Sequence, residues 1–196
     1  IELIQFTLSS SSSFTKLANY LNNYRIDGIV CIEFFQPDIL PTLTDLGYPV
    51  VFLDLPLLEQ DLRGSYDIIL PENADAVKYL CLDLIHNKDC KTFGFVGDHR
   101  HCRSFYERFL GMREALFLSG LDTDLKYSIL HKDTFPYGNA KELRGALQEL
   151  PSLPDCFIAA NDTIALSLLE ALRLLRKKVP DDVKVVRFDN VAESKM

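Results

Sequence analysis

Short, mostly apolar runs alternate along this chain with longer stretches in which apolar residues return every third or fourth position. Ile29–Ile32 and Cys156–Ala160, too short for helices, predict buried strands, and Val50–Leu53, Tyr66–Leu70, Phe93–Val96, Leu125–Leu130 and Val183–Phe188 predict further strands. Ile1–Leu8 reads as a further strand, interrupted by Glu2, Gln5 and Thr7. Helices are predicted where the period lengthens. Phe14, Leu17, Ala18, Leu21 and Tyr24 follow the serines Ser9–Ser13, and Ile39, Leu40, Leu43 and Leu46 lie between Pro37 and Gly47. Ala76, Val77, Leu80, Cys81, Leu84 and Ile85 form a third apolar face, and Phe105, Phe109, Met112 and Leu116 a fourth. Asn139–Leu150 carries Leu143, Leu147 and Leu150, and the last stripe is Ile164, Ala165, Leu168, Leu169, Leu172 and Leu175.

The boundaries carry capping chemistry. Asn161 or Asp162 can cap the last helix, with Asp162 the expected cap, and Ser104 and Glu107 have capping-box spacing. Arg176-Lys177-Lys178 places cations where a helix C-terminus favours them. Two strands joined through a helix pair in parallel with a right-handed crossover, and repetition of that unit predicts a doubly wound α/β sheet. Two such units are expected, 1–90 and 91–196, divided near Asp89–Lys91. The segment Asp54–Ser65 has no period and reads as a loop.

Composition narrows the function classes. A chain of 196 residues, 47% hydrophobic and 25% charged, can bury a substantial core. The formal net charge of −7 argues against this segment being a nucleic-acid-contacting surface, which needs clustered Lys and Arg. No apolar run is long enough to span a membrane, and no signal peptide is visible at the N-terminus. Five cysteines without CxxC spacing fit a reducing cytoplasm, with Cys31, Cys81 and Cys156 read as core thiols.

Ligands of doubly wound sheets meet the carboxyl ends of the strands. Two of those ends carry Asn161-Asp162 and Asp189-Asn190, short polar groups suited to a ligand rich in hydroxyls. The same residues would serve equally as a helix cap and a turn, and the pattern alone leaves both readings open. The runs Ala159-Ala160-Asn161-Asp162-Thr163-Ile164-Ala165-Leu166 and Val179-Pro180-Asp181-Asp182-Val183-Lys184-Val185-Val186-Arg187-Phe188-Asp189-Asn190 extend the picture. Upstream stand Phe93-Gly94-Phe95-Val96-Gly97, Ser104, Arg108-Phe109-Leu110-Gly111, Ala115-Leu116 and Gly120-Leu121. Together, in this order, they resemble the LacI/GalR family of bacterial transcription regulators. The match is close from about Asp67 to Met196 and looser before, chiefly at Arg25–Val30 and Tyr48–Val51.

The resemblance implies two doubly wound parallel-sheet lobes of periplasmic-binding-protein-like type I, with a ligand cleft between them. It also implies a longer protein than this sequence. A helix-turn-helix DNA-binding segment, with an earlier strand and helix, would precede Ile1, and a return crossing would follow Met196. The implied partners are a small-molecule effector (a sugar or sugar derivative), operator DNA through the helix-turn-helix segment, and a second copy in a homodimer. No cofactor is implied. Lobe movement on effector binding would alter the spacing of the DNA-binding heads, which requires unequal effector affinity for the two states.

The site residues follow from the same resemblance. Arg108, in an Arg-x-x-Gly pattern, would reach ligand hydroxyls with its planar guanidinium. Asp189 would accept hydroxyls, and Asn161 would supply a third cleft contact. Phe135, in Asp133-Thr134-Phe135, would pack against a sugar's apolar face, and Phe34, with Phe35, would do so from the first lobe. Glu72-Asn73 stands where the family often has Asp-Asn, which leaves a cleft contact or helix capping open, with capping the preferred reading. Arg187 departs from the family, which commonly has glycine there; it would pair with Asp189 or favour an anionic ligand such as a sugar phosphate.

Of other chemistry, His99-Arg100-His101-Cys102 is the nearest approach to a metal constellation, but no fourth ligand stands at structural-zinc spacing, and it reads as a polar rim loop. No phosphate loop, dinucleotide fingerprint, nucleophile elbow or HExxH is present, so no enzyme is expected. The alternatives are a secreted sugar-binding protein of a transporter and, further off, a doubly wound enzyme acting on a small metabolite.

Overall fold

The computed structural model describes residues 3–7, 11–58 and 65–189. The chain separates into two compact units, Ile1–Leu70 and Pro71–Met196.

The first unit carries α1 (Ser11–Asn23), β1 (Ile29–Ile32), α2 (Leu40–Thr44), β2 (Val50–Leu53) and β3 (Tyr66–Ile69). The strands pair in parallel in the order β1-β2-β3, with Cys31 opposite Phe52 and Phe52 opposite Ile68. Its core gathers Leu17, Leu21, Cys31, Phe34, Leu40, Leu43, Val50 and Phe52. Three expectations are corrected here. Residues 3–7 form no strand, while Ile1, Glu2 and Leu8 lie outside the described residues, as do Ser9, Ser10 and loop residues 59–64. The strands are not buried on both faces: Cys31 points into the core, while Val30 and Ile32, on the opposite pleat, are exposed. Tyr24 lies past the end of α1 and is exposed, stacked on Tyr20 at 4.3 Å.

The second unit carries α3 (Ala74–Lys88), β4 (Phe93–Val96), α4 (Arg103–Leu118), α5 (Ala140–Glu149), β5 (Cys156–Ala159), α6 (Asp162–Leu174) and β6 (Lys184–Val186). The sheet is parallel in the order β4-β5-β6, with Phe95 opposite Ile158 and Ile158 opposite Val186. Phe95, Phe157, Ile158, Met112, Leu143, Leu168 and Leu172 are all at most 1% exposed and form the centre of the core. All five cysteines are buried and none is in a disulfide, Cys90 and Cys102 as well as the three expected in the core.

The division falls between Leu70 and Pro71 rather than near Asp89–Lys91, because α3 packs against α4. The α3 face is also narrower than its period suggests. Val77 and Cys81 are buried and Leu84 and Ile85 partly so, but Ala76 and Leu80 are exposed.

Leu125–Leu130 is not a strand. Only Ile129 bridges to β4, through Ile129 N–H to Phe95 O (2.8 Å) and Gly97 N–H to Ile129 O (3.0 Å). One step earlier, Phe95 N–H donates to Ser128 Oγ at 2.9 Å, so a side chain takes the place of a ladder carbonyl and regular pairing stops.

Candidate functional site

The site is assembled at the carboxyl ends of β5 and β6, where Arg108 arrives from the second turn of α4. Its approach depends on Gly111, one turn further along. A Cβ at Gly111 would lie 2.2 Å from the carbonyl oxygen of Ala74, so only glycine lets α4 come this close to the start of α3. That contact brings Arg108 Nε to Asn73 Oδ1 at 3.0 Å. The other guanidinium nitrogens reach across the sheet ends: Nη1 donates to Ala160 O at 2.5 Å and Nη2 to Asp189 Oδ1 at 3.3 Å. The ring of Phe188 covers one face of the guanidinium, 3.8 Å from its carbon. Arg108 is only 4% exposed, so this charge is held inside the protein and hydrogen-bonded along its whole fork.

Asn73 holds the arginine from behind. It is 1% exposed, and its amide nitrogen donates to Pro71 O (2.9 Å), Glu107 Oε2 (3.1 Å) and Ser104 Oγ (3.3 Å). Glu107 Oε1 in turn accepts from Arg103 Nε at 2.9 Å. Ser104 and Glu107 therefore serve this network and not a capping box. The N-cap of α4 is Cys102, with no side-chain cap bond. Asn73 does not cap α3 with its side chain either; Glu72 does so, accepting from Asp75 N–H (2.5 Å) and Ala76 N–H (2.6 Å).

Asp189 has φ +97°, a backbone conformation a non-glycine residue adopts only under constraint. Its side chain remains 40% exposed beside the buried Arg108, so it can still accept a ligand hydroxyl. Asn190 lies outside the described residues. The capping roles at β5 are reversed from expectation: Asn161 Oδ1 accepts from Ile164 N–H at 2.9 Å, and Asp162, 1% exposed, turns inward with Oδ2 3.9 Å from Arg187 Nη1. Arg187 thus approaches Asp162, while Asp189 is taken by Arg108.

A cavity of about 220 Å³ opens beside these groups, with Arg108, Arg187 and Phe188 on its wall along with apolar residues of α3, β5 and β6. Of the residues read from the sequence, Arg108 and Asp189 meet directly, and Asn161 follows the Ala160 carbonyl that Arg108 binds. Phe135 is in contact with His131 (4.6 Å) and Tyr137 (4.9 Å), against the core. Phe34 is 8% exposed within the core of the first unit.

In the loop after β4, His101 Nδ1 pairs with Asp133, and His99 lies against Phe109 at 4.6 Å. Burial, then the neighbouring Arg100, lowers the His99 pKa below the ordinary imidazole value. No group of three His, Cys, Asp or Glu side chains is placed to hold a metal among the described residues.

The second unit is thus a parallel doubly wound domain with an internally braced arginine and an exposed carboxylate at its strand ends, the place where ligands meet such sheets. The chain belongs to the periplasmic binding protein-like domain family, whose model matches residues 82–196, and it falls with the effector-binding regions of LacI/GalR-type regulators. It is 29% identical over 190 residues to the HTH-type transcriptional regulator CelR of Thermobifida fusca, covering 95% of this chain and 54% of that protein. To HTH-type GalR of Lacticaseibacillus casei it is 27% identical over 178 residues, covering 87% of this chain and 51% of that protein. Among solved structures, a CelR–cellobiose complex matches with TM-score 0.75 and 27% identity over 92% of this chain and 54% of that one. CcpA of Lactococcus lactis matches in fold with TM-score 0.74 and 20% identity, over 93% and 64%. The chain spans about half the length of the two regulators compared by sequence.

Proposed function

We propose that this chain is the effector-sensing region of a cytoplasmic LacI/GalR-type repressor, not an enzyme. It binds a small sugar or sugar derivative at Arg108, Asp189 and Asn161, with Phe135 as the aromatic contact expected from sequence. The whole protein, as a homodimer, binds operator DNA through a helix-turn-helix segment, and effector binding changes its DNA affinity by favouring one of two states.

The observation that carries this reading is the Arg108 fork. It ties together the carboxyl ends of two neighbouring strands while the Asp189 carboxylate stays open to solvent. A carboxylate held in place by a buried cation is pre-oriented to accept hydroxyl hydrogen bonds. The likeness to a regulator solved with cellobiose supports a sugar as the ligand class.

Thermal unfolding of the full-length protein against neutral sugars, including cellobiose, and acidic sugar derivatives tests it. A ligand at 100 times its dissociation constant adds about 2.7 kcal/mol to the folded state. A shift with one sugar class, lost in Asp189→Ala, is the expected result. No shift with any member of either class overturns the effector reading.

A further inference from the structure

We propose that Arg187 reads an anionic group, a carboxylate or a phosphate ester, so that the effector is an acidic sugar derivative; this rests on the effector-sensing reading above. Two arginines line the same cavity, and they stand in different circumstances. Arg108 has its Nε, Nη1 and Nη2 committed to Asn73, Ala160 and Asp189, its face covered by Phe188, and its side chain 5% exposed. It is part of the wall.

Arg187 is 33% exposed. Its carboxylate neighbour is Asp162, at 3.9 Å, beyond hydrogen-bond distance, and among the described residues Arg187 makes no hydrogen bond. A guanidinium carries five N–H donors, so the protein balances the charge of Arg187 while leaving its donors for a ligand.

The surroundings favour an anion as that ligand. The cavity wall beside Arg187 includes Ala76, Leu80 and Val186, which offer no side-chain acceptor to compete for its donors. Asp162 is 1% exposed, so a molecule in the cavity meets the guanidinium and not the carboxylate behind it. The ion pair also restrains the guanidinium before the ligand arrives. Its planar fork matches two oxygens of a carboxylate or phosphate. The sugar hydroxyls would fall to Asp189 and the acidic substituent to Arg187.

Isothermal titration of the full-length protein with glucose, cellobiose, glucuronate, galacturonate, glucose 6-phosphate and fructose 6-phosphate tests this, in low and high salt. An acidic member is expected to bind at least tenfold more tightly than its neutral parent, with a preference that weakens as salt rises. Uronates and phosphates in separate arms identify the anion. Arg187→Gln should abolish the preference. Because Arg187→Gln removes the cation beside Asp162, the same titrations are run on Arg187→Gln/Asp162→Asn, in which both charges are removed and whose folding is checked by circular dichroism. If the double variant keeps the wild-type preference, Arg187 serves only to neutralise Asp162 and the proposal falls. Tight binding of a neutral sugar with no acidic preference also overturns it, and leaves the effector reading standing. Absence of binding by both classes overturns both.

Discussion

Arg108 shows how much a single side chain can organise. Its three donating nitrogens join α3, β5 and the segment after β6, which are far apart in sequence. A lysine at this position has one compact nitrogen and cannot meet acceptors spread around a planar fork. Arg108→Lys is therefore expected to lower stability by about 2–4 kcal/mol, since buried partners lose charge-assisted hydrogen bonds. Urea unfolding measures that loss, and effector affinity should fall at least tenfold in the same variant. Asn161 has a smaller structural part. Its one cap bond to Ile164 N–H predicts that Asn161→Ala costs about 1 kcal/mol, measured by the same method. An affinity loss much greater than that stability loss would mark Asn161 as a ligand contact as well as a cap.

Among the elements, the α3–α4 pair sets the height of Arg108 above the sheet. Gly111→Ala would drive a methyl group into the Ala74 carbonyl. We expect a destabilisation of about 1–3 kcal/mol, with weakened effector binding because Arg108 and Asn73 are displaced together. Calorimetric melting and titration of one preparation separate the two effects. The starts of β4 and β5 are joined by a different device. Asp155 Oδ2 accepts from Lys91 N–H (2.8 Å), Thr92 N–H (2.9 Å) and the Thr92 hydroxyl (3.0 Å). Burial works to raise its pKa, but these donors outweigh burial and hold it below the ordinary carboxyl value. A carboxyl depressed on folding contributes stability that is complete above its unfolded pKa, about 3.9, and is lost as pH falls through the lower folded value. Asp155→Asn should therefore flatten the acid limb of stability below about pH 4. Urea midpoints from pH 2 to 6 check this, and an unchanged acid limb would count against it.

At the scale of the molecule, the two units are differently built. The second has strands β4 and β5 buried along their whole length, while the first exposes Val30, Ile32 and Ile69 on its sheet. Local stability follows the apolar surface buried around each hydrogen bond. Amides of β1–β3 are expected to exchange with deuterium faster than those of β4 and β5, by tenfold or more in protection. Equal protection in the two sheets would show that they open together. The described residues contain no helix long and apolar enough to cross a membrane.

What the sequence determined was the local part. Short apolar runs and three-to-four periodicity located β1 to β6 and the six helices among the described residues to within a few residues, because burial against one face selects the side-chain period. It missed where pairing depended on a neighbour: 125–130 reads as a strand, yet Ser128 displaces the ladder beside β4. The same division holds in the site. Arg108 and Asp189 are legible through their motifs, but Asn73 reads from sequence as a cap and Phe188 carries no signal beyond standing next to Asp189. Ser104 and Glu107 have capping spacing and answer instead to Asn73, and Asn161 takes the cap expected of Asp162, which turns toward Arg187. A short polar side chain finds similar partners in its own turn and across the fold, so spacing cannot choose between them. Tertiary structure chooses, because burial makes an unsatisfied polar group costly and each one takes the partner that packing brings within reach.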